Sequence, residues 1–228
     1  MDVPASSPAA TTPRCGCGTR TTPTTPQVLT GHTGPVRAVG IMTGADGRPR
    51  ITSGSHDSTV RVWDPDHPGH TSQALTGHTG SVWAVGIMTG ADGRPRITSG
   101  SHDRTVRVWD PDHPDRVAQV LTGHTGPVRA VGIMTGADGR PRIISGSTDA
   151  TVRVWDPDHP DRAPQVLTGH PGPVRAVGVM TGADGSARIV SASHDRTVRL
   201  WDPDHPDHTP SPHRPHRLGG GGGGDDRC

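Results

Sequence analysis

Short apolar runs alternate with turn-forming residues along the chain from about residue 27 to residue 207. The first run, Val36–Met42 (VRAVGIM), is rich in β-branched residues and therefore favours a strand. It stops before residues 44–47, where Asp46-Gly47 is typical of a tight hairpin turn. A second strand is predicted over Arg50–Ser53, and Ser55-His56-Asp57 makes the next turn.

The pattern then continues with two more strands. Thr59–Trp63 (TVRVW) has strong β propensity. Residues 64–68 (DPDHP) cannot continue a ladder, because prolines lack the N–H donor. A shorter fourth strand is predicted over Gln73–Thr76, so the pattern indicates a unit of four antiparallel strands, as in one propeller blade.

This unit recurs with a constant period. A Gly-His pair begins each copy, at Gly31, Gly77, Gly123 and Gly169, so successive copies are 46 residues apart (77 − 31 = 46). A fixed period of this size indicates a repeat architecture. We divide residues 27–207 into four units, about 31–76, 77–122, 123–168 and 169–207, with residues 27–30 as the closing strand. The expected fold is all-β, with four four-stranded antiparallel propeller blades forming a partial or small propeller.

The motifs of each unit resemble the WD-repeat β-propeller family. They are Gly-His at the start, Ser-Gly-Ser-x-Asp in the middle and Thr-Val-Arg-Val-Trp-Asp near the end. The resemblance covers about residues 27–207 and implies a structural tetrad of His, Ser, Asp and Trp in each unit, whose polar atoms satisfy one another. The implied tetrads are His32, Ser53, Asp57 and Trp63; His78, Ser99, Asp103 and Trp109; His124, Ser145, Asp149 and Trp155; and His170, Ser191, Asp195 and Trp201.

Serine, histidine and aspartate also form the triad of many hydrolases. Catalysis needs one site with an exposed nucleophile and an oxyanion hole. Here the same trio recurs in all four units, each time with a tryptophan. We therefore expect a structural role for the trio, a protein that is not an enzyme, and no cofactor.

The resemblance also implies a face on which partners dock. In the family, partners often bind the top face, near the start of the first strand and the turn before the third. The candidate residues there are Arg37, Trp83, Arg129, Arg175, His56, His102 and His194, with Thr148 at the turn position of the third unit. Three arginines and three histidines predict a basic, pH-sensitive rim, and Trp and Arg are the usual hot-spot types. The alternative is a solvated rim without a binding role, in which Trp83 replaces the arginine of the other units by neutral substitution.

We therefore expect a non-catalytic scaffold or regulatory protein that binds a protein or an acidic peptide on the top face. A ligand-binding, lectin-like propeller is the alternative. It would need a repeated pocket with exposed aromatic rings, and only Trp83 is a candidate.

The number of units bears on whether the ring closes. Members of the family usually close with about six to eight blades, and four blades would each have to turn about 90°, against about 45° for eight. We expect two chains to pair into an eight-blade ring, each lending Gln27–Thr30 to the other, because an open arc exposes two apolar faces and a strand edge. The alternative is a fragment of a longer propeller, truncated or frameshifted.

Composition narrows the class of partner and the setting. The chain has 228 residues and a formal net charge of +1, which gives no reason to expect nucleic acid or a membrane as partner. Lys, Glu, Asn, Phe and Tyr are absent, a bias that a GC-rich bacterial genome explains. No apolar segment suits a signal peptide or a membrane helix, so a cytoplasmic protein is expected.

The two flanks differ from the repeats. Residues 1–26 are rich in Pro and Thr, residues 208–228 are rich in His, Pro and Gly, and both are expected to be disordered. All the cysteines, Cys15, Cys17 and Cys228, lie in the flanks, so no disulfide framework is expected. We expect no metal at Cys15 and Cys17 or at the repeated Asp-Pro-Asp-His-Pro loops, which we interpret as proline-stiffened linkers.

Overall fold

The computed structural model describes residues 26–182 and 185–204, which form strands and loops. Within these residues, no helix is long and apolar enough to cross a membrane. Residues 1–25 of the first predicted flank, the whole of the second flank and all three cysteines lie outside the described residues.

The first unit folds into one antiparallel sheet whose strands lie in sequence order. The strands are β1 (Val36–Thr43), β2 (Pro49–Ser55), β3 (Val60–Trp63) and β4 (Gln73–Leu75). Each predicted strand is present, with its ends shifted by a residue or two. The β1–β2 hairpin turns through Gly47, whose φ of 76° suits a glycine.

The other three units repeat this sheet. The second contains β5 (Val82–Thr89), β6 (Pro95–Ser101), β7 (Val106–Trp109) and β8 (Gln119–Leu121). The third contains β9 (Val128–Thr135), β10 (Pro141–Ser147), β11 (Val152–Trp155) and β12 (Gln165–Leu167). The fourth contains β13 (Val174–Thr181), β14 (Ala187–Ser193) and β15 (Val198–Trp201).

The fourth blade therefore has three strands among the described residues, and its predicted fourth strand was the segment of residues 27–30. Residues 27–30, the predicted closing strand, join no sheet in the single chain. The physical reason is their position: they precede the first blade, whereas the edge of β15 lies at the other end of the row of blades.

The blades are held together by apolar cores between neighbouring sheets. The first strands β1, β5, β9 and β13 pack one on the next and form the inner edge of the row. Met42, Val60 and Leu75 of the first blade share one buried cluster with Val82 and Ile97 of the second. Two further clusters repeat this arrangement at the following joints. Since a fully buried Val or Leu contributes roughly 1.5–3 kcal/mol, the joints between blades provide most of the hydrophobic stabilisation.

A glycine sets how closely each blade approaches the next. A Cβ atom added at Gly100 would lie 2.6 Å from Cγ1 of Val128 on the following blade. Gly54 and Gly146 make the same approach at the other two joints. The fourth unit carries Ala192 at this position, on the blade that no further blade follows in the described residues.

Both ends of the row expose apolar side chains that the internal blades bury. Val36 and Ile41 on the first blade are 50% and 78% exposed, whereas Val82, the counterpart of Val36, is fully buried. On the last blade Val198 is 70% exposed, whereas its counterpart Val106 is fully buried. A single chain therefore forms an open arc of four blades.

Replacing Ala150 by glycine should stabilise the protein. Ala150 has a φ of 69° in the turn between β10 and β11, a conformation that costs an L-residue roughly 1–2 kcal/mol and costs glycine little. The Ala150→Gly variant should gain about 1 kcal/mol in free energy of unfolding, measured by urea denaturation. The matched control is Gly139→Ala, because Gly139 has a φ of 75° and no atom near its added Cβ, and it should lose a similar amount. A destabilised Ala150→Gly protein would contradict this interpretation of the turn.

Adding one methyl group at an internal joint should destabilise the arc. Gly100→Ala places a Cβ against Val128, and we expect a loss of about 1–3 kcal/mol in the free energy of unfolding. Gly178→Ala is the control, because an added Cβ there meets nothing within 4 Å. Equal stabilities of the two variants in thermal and urea unfolding would show that the close approach at Gly100 does not limit the packing.

Candidate partner-binding face

The two ends of every blade are chemically different. We call the top face the end at which β1 begins and β2 ends, where the register pairs Val36 with Ser55. The loops before β1 and between β2 and β3 lie there, with their counterparts in the other blades. The hairpins between β1 and β2 and the Asp-Pro-Asp-His-Pro loops lie at the opposite end, the bottom face.

Below the top loops, the four implied tetrad residues of each blade meet in one hydrogen-bonded chain. In the second blade, the Trp109 indole N–H donates to Ser99 Oγ over 2.8 Å, and Ser99 Oγ lies 2.8 Å from His78 Nε2. His78 Nδ1 lies 2.7 Å from Asp103 Oδ2. With a neutral imidazole, the Ser99 hydroxyl donates to Nε2 and the Nδ1–H donates to the carboxylate, so every group has a partner. Each bond contributes only about 1 kcal/mol, but an orphaned buried group would cost about 1–3 kcal/mol.

The other three tetrads repeat this geometry. Their His–Asp distances are 2.6–2.7 Å, their His–Ser distances 2.7–2.8 Å and their Trp–Ser distances 2.7–2.8 Å. They join His32, Ser53, Asp57 and Trp63; His124, Ser145, Asp149 and Trp155; and His170, Ser191, Asp195 and Trp201. The top loops of each blade are thereby tied to its second and third strands.

A fifth residue that the sequence analysis missed completes each set. Thr105 donates through its hydroxyl to Asp103 Oδ1 over 2.7 Å and through its backbone N–H over 3.0 Å. Thr59, Thr151 and Thr197 do the same in the other blades. The signal was present, because Asp-x-Thr occurs in every unit.

These contacts control the charge of the tetrad aspartates. Burial alone would raise the pKa of Asp103, but hydrogen bonds from His78 and Thr105 outweigh it and hold the pKa well below the ordinary value. The same balance lowers the pKa of Asp57, Asp149 and Asp195. Each tetrad thus contains an ionised aspartate whose carboxylate accepts hydrogen bonds in the folded protein.

The tetrad serines are buried inside the blades. Ser99, Ser145 and Ser191 have no exposed surface and Ser53 has 4%. Each hydroxyl oxygen already accepts from an indole and lies against an imidazole, so none of the four is open to a substrate. This arrangement serves structure in all four blades.

The first-strand candidates form a row along the inner edge of the top face. In β1 the register passes from Val36 opposite Ser55 to Ala38 opposite Gly54, which makes Arg37 the extra residue of a β-bulge. Trp83, Arg129 and Arg175 hold the same place in β5, β9 and β13. A bulge re-aims a side chain relative to the ladder, and the packing of these strands brings the four together. We call them the inner row.

Trp83 is stacked within the inner row and is partly buried. The guanidinium carbon of Arg129 lies 3.5 Å from the centre of its ring, and that of Arg37 lies 5.6 Å away on the other neighbouring strand. The His56 ring is 5.7 Å from it. The indole N–H is buried and has no hydrogen-bond partner in the described part of the chain.

The arginines of the inner row lie along one edge and have no acidic partner among the described residues. Burial lowers the pKa of Arg129, and the positive charge of Arg175 lowers it further. Among the described residues, the arginine–aspartate ion pairs all involve other arginines, such as Arg50 with Asp46 on the bottom face. The inner row therefore presents positive charge that no acidic side chain of the described residues neutralises.

The turn candidates surround this row. His56, His102 and His194 are exposed, and Thr148 at the same turn of the third blade is partly buried. Of these, the structure brings only His56 into contact with a ring of the inner row.

In the first three repeated loops of the bottom face, the first aspartate lies close to an arginine and a histidine. Asp64 lies 3.2 Å from His67 Nδ1 and 3.8 Å from the Arg50 guanidinium. The described residues contain no group of three His, Cys, Asp or Glu placed to hold a metal ion.

Acid should unfold the protein through the tetrad aspartates. Their folded-state pKa values lie below the value of about 3.9 for unfolded Asp, so below about pH 5 the unfolded chain binds more protons and stability falls as the pH is lowered. The melting temperature should drop steeply between about pH 5 and pH 3. Asp103→Asn should melt lower at pH 7 and lose less on acidification, whereas the exposed Asp115→Asn should behave as the parent. A melting temperature that is constant down to pH 3 would exclude this linkage.

Comparison with known proteins now identifies the family. The family profile described as WD domain, G-beta repeat, matches residues 24–64, 69–110, 116–156 and 162–202. Each matched segment begins before an outer-strand sequence and ends after the third strand of the next blade. In the first match, residues 27–30 therefore align with the outer strands β4, β8 and β12. No curated protein matches the chain. Repeats of this type generally mediate protein–protein interaction, typically in non-catalytic proteins. The four matches cover most of the sequence, and the chain belongs to the WD-repeat family.

Proposed function

We propose that this WD-repeat protein is a non-catalytic interaction scaffold and that its inner row binds an acidic segment of a partner protein. One observation carries the proposal: Arg37, Arg129 and Arg175 gather on the top face without an ion-pair partner among the described residues. An acidic peptide would supply the missing negative charge.

Arg129 is the centre of the proposed site. Its guanidinium carbon lies 3.5 Å from the centre of the Trp83 ring, and its Nε atom is buried without a hydrogen-bond partner among the described residues. A guanidinium held in this way has lost much of its rotamer freedom before binding, so less entropy is lost when a carboxylate arrives. The carboxylate would also relieve the repulsion between Arg129 and Arg175.

The structure changes the proposed part played by Trp83. The sequence placed Trp83 among the candidate partner-binding residues of the top face. The stacked geometry favours a platform that orients Arg129 on one side and Arg37 on the other. Both arginines would lose their orientation in Trp83→Ala.

The exposed histidines would extend the site outward. His56, His102 and His194 stand at the rim, and each would add positive charge when its imidazole is protonated. Protonated imidazoles at the rim would therefore add to the attraction for an acidic segment.

The ligand-binding alternative is supported by a different feature. Clefts of about 970, 920 and 660 Å³ repeat between neighbouring blades at the bottom face. Apolar residues such as Ile87 and Met88 line the first two, and no tryptophan lines any of them. The unpaired arginines of the top face favour the interaction scaffold over a lectin-like protein.

An oligo-aspartate peptide tests the proposal directly. Binding measured by fluorescence anisotropy should weaken about tenfold in Arg129→Ala, because one stacked charge is lost, and should weaken further with added salt. Trp83→Ala should weaken binding similarly while the protein stays folded. Trp83 emission should also change on binding, since the other four tryptophans are at most 6% exposed.

Two controls separate site binding from general attraction. Arg162→Ala removes an exposed charge from a bottom loop and should leave the affinity unchanged. An oligo-asparagine peptide of equal length should not bind. If Arg129→Ala binds oligo-aspartate as tightly as the parent does, the inner row is not the site.

A further inference from the structure

We propose that a second copy of this chain completes the arc, and that residues 27–30 of each copy form the missing outer strand on β15 of the other. This goes beyond the binding of an acidic segment and uses different surfaces. It gives the assembly a defined strand register, the one that pairs third and outer strands in the internal blades.

The acceptor is the open edge of the fourth blade. In the first three blades an outer strand covers the third strand, and Val60, Val106 and Val152 are fully buried there. In the fourth blade no outer strand covers β15 among the described residues, and Val198 and Leu200 are 70% and 43% exposed. An apolar strand with unpaired backbone groups is a template for another strand.

The donor is the segment that precedes the first blade. Its sequence, Gln27-Val28-Leu29-Thr30, is that of residues 119–122 and 165–168 around β8 and β12. No such sequence occurs among residues 205–228 after β15. Val28 is 71% exposed and the segment lies in no sheet.

Each outer strand of an internal blade contacts the following blade through a glutamine side chain. Residues 27–30 contact the first blade in the same way. The side chain of Gln73 donates to the carbonyl oxygen of Pro111 over 2.8 Å, and Gln119 and Gln165 make the same bond 46 and 92 residues later. Gln27 donates in the same way to the Pro65 carbonyl over 3.2 Å. Relative to the first blade, the segment thus has the position that an outer strand takes beside the next blade. The described residues contain no other strands of the blade to which such an outer strand would belong.

The register of the intermolecular pairing follows from the internal blades. In the first blade, Val60, Arg61 and Val62 pair with Leu75, Ala74 and Gln73. The equivalent residues of β15 are Val198, Arg199 and Leu200. They should pair with Leu29, Val28 and Gln27 of the second copy.

The blade faces at the two ends are also complementary. Val36, Val39 and Ile41 of the first blade are exposed, and their counterparts Val82, Val85 and Ile87 pack into an internal joint. The other side of such a joint is the face that the fourth blade presents. A second copy supplies this face and the acceptor edge together, so one contact covers both ends.

The joint between copies would differ from the internal joints at several side chains, and Ala192 is the one that bears on how closely the blades approach. Ala192 carries the methyl group that glycine omits at residues 54, 100 and 146. If the joint between copies had the geometry of an internal joint, that methyl would press on Val36 of the second copy, so the two blades must stand slightly farther apart. We therefore expect association to be reversible, and Ala192→Gly to tighten it.

The contact joins the end of one copy to the beginning of the other, so it is heterologous. Such contacts form closed rings when the rotation between copies closes. Two copies of four blades give eight, within the range of propellers, and each copy then donates one strand and accepts one.

Disulfide trapping between two different chains tests the pairing. In a background of Cys15→Ser, Cys17→Ser and Cys228→Ser, one chain carries V28C and a second carries R199C. Directly opposed positions of an antiparallel pair have Cα atoms about 4.5–5.5 Å apart, which suits a disulfide. Mixing and mild oxidation should give a covalent pair on a non-reducing gel. The matched control replaces R199C by R153C, whose strand β11 is already paired with β12, and should give none.

The mass of the unmodified protein provides the second measurement. Light scattering should give twice the chain mass of 23.8 kDa, falling toward one chain on dilution. Val198→Asp should shift the equilibrium to single chains, and Val117→Asp, at a residue that is 91% exposed in a loop, should not.

Absence of the V28C–R199C product would overturn the proposal. An intramolecular disulfide in a V28C/R199C double variant would instead show that four blades close on themselves, and a mass above two chains would exclude the two-copy ring.

Discussion

The packing of one blade on the next is the constraint from which the rest of this structure follows. A single four-stranded sheet has two faces and too little apolar surface to bury both by itself. Gly54, Gly100 and Gly146 let the blades approach until valine side chains contact backbone, and the three buried clusters of the described residues lie at these joints. The same requirement is unmet at the two ends, which is why the apolar exposure of the chain is concentrated there.

The tetrads and the bulges are two consequences of the same geometry. The Trp–Ser–His–Asp chain links the top loop before each first strand to the second and third strands of the same blade. The bulge in each first strand then directs one extra side chain to the top of the inner edge. The fold thus gathers one residue from each blade in a single row, and the identity of these four residues determines what the top face can bind.

The sequence was sufficient to predict the strands, the period and the members of each tetrad, since each depends on residues within one unit. The sequence also indicated that residues 27–30 have the pattern of a closing strand. The bulge at Arg37 was not, because a bulge is defined by register against a partner strand. The surroundings of Trp83 could not be predicted either. They involve Arg37 and Arg129, which are each 46 residues away and belong to other blades.

The near-identity of the units has a kinetic consequence. The outer strands over residues 119–121 and 165–167 have the same sequence, and the strands they cover, β7 and β11, are also the same. While the chain folds, an outer strand can pair with the third strand of the wrong blade. All residue pairs are then the same as in the correct pairing, although the strand is displaced by 46 residues along the chain. Repeat proteins are prone to such misassembly. Leu200 and Ala192 distinguish the last blade from the others. A misplaced outer strand would therefore contact different side chains only on the fourth blade.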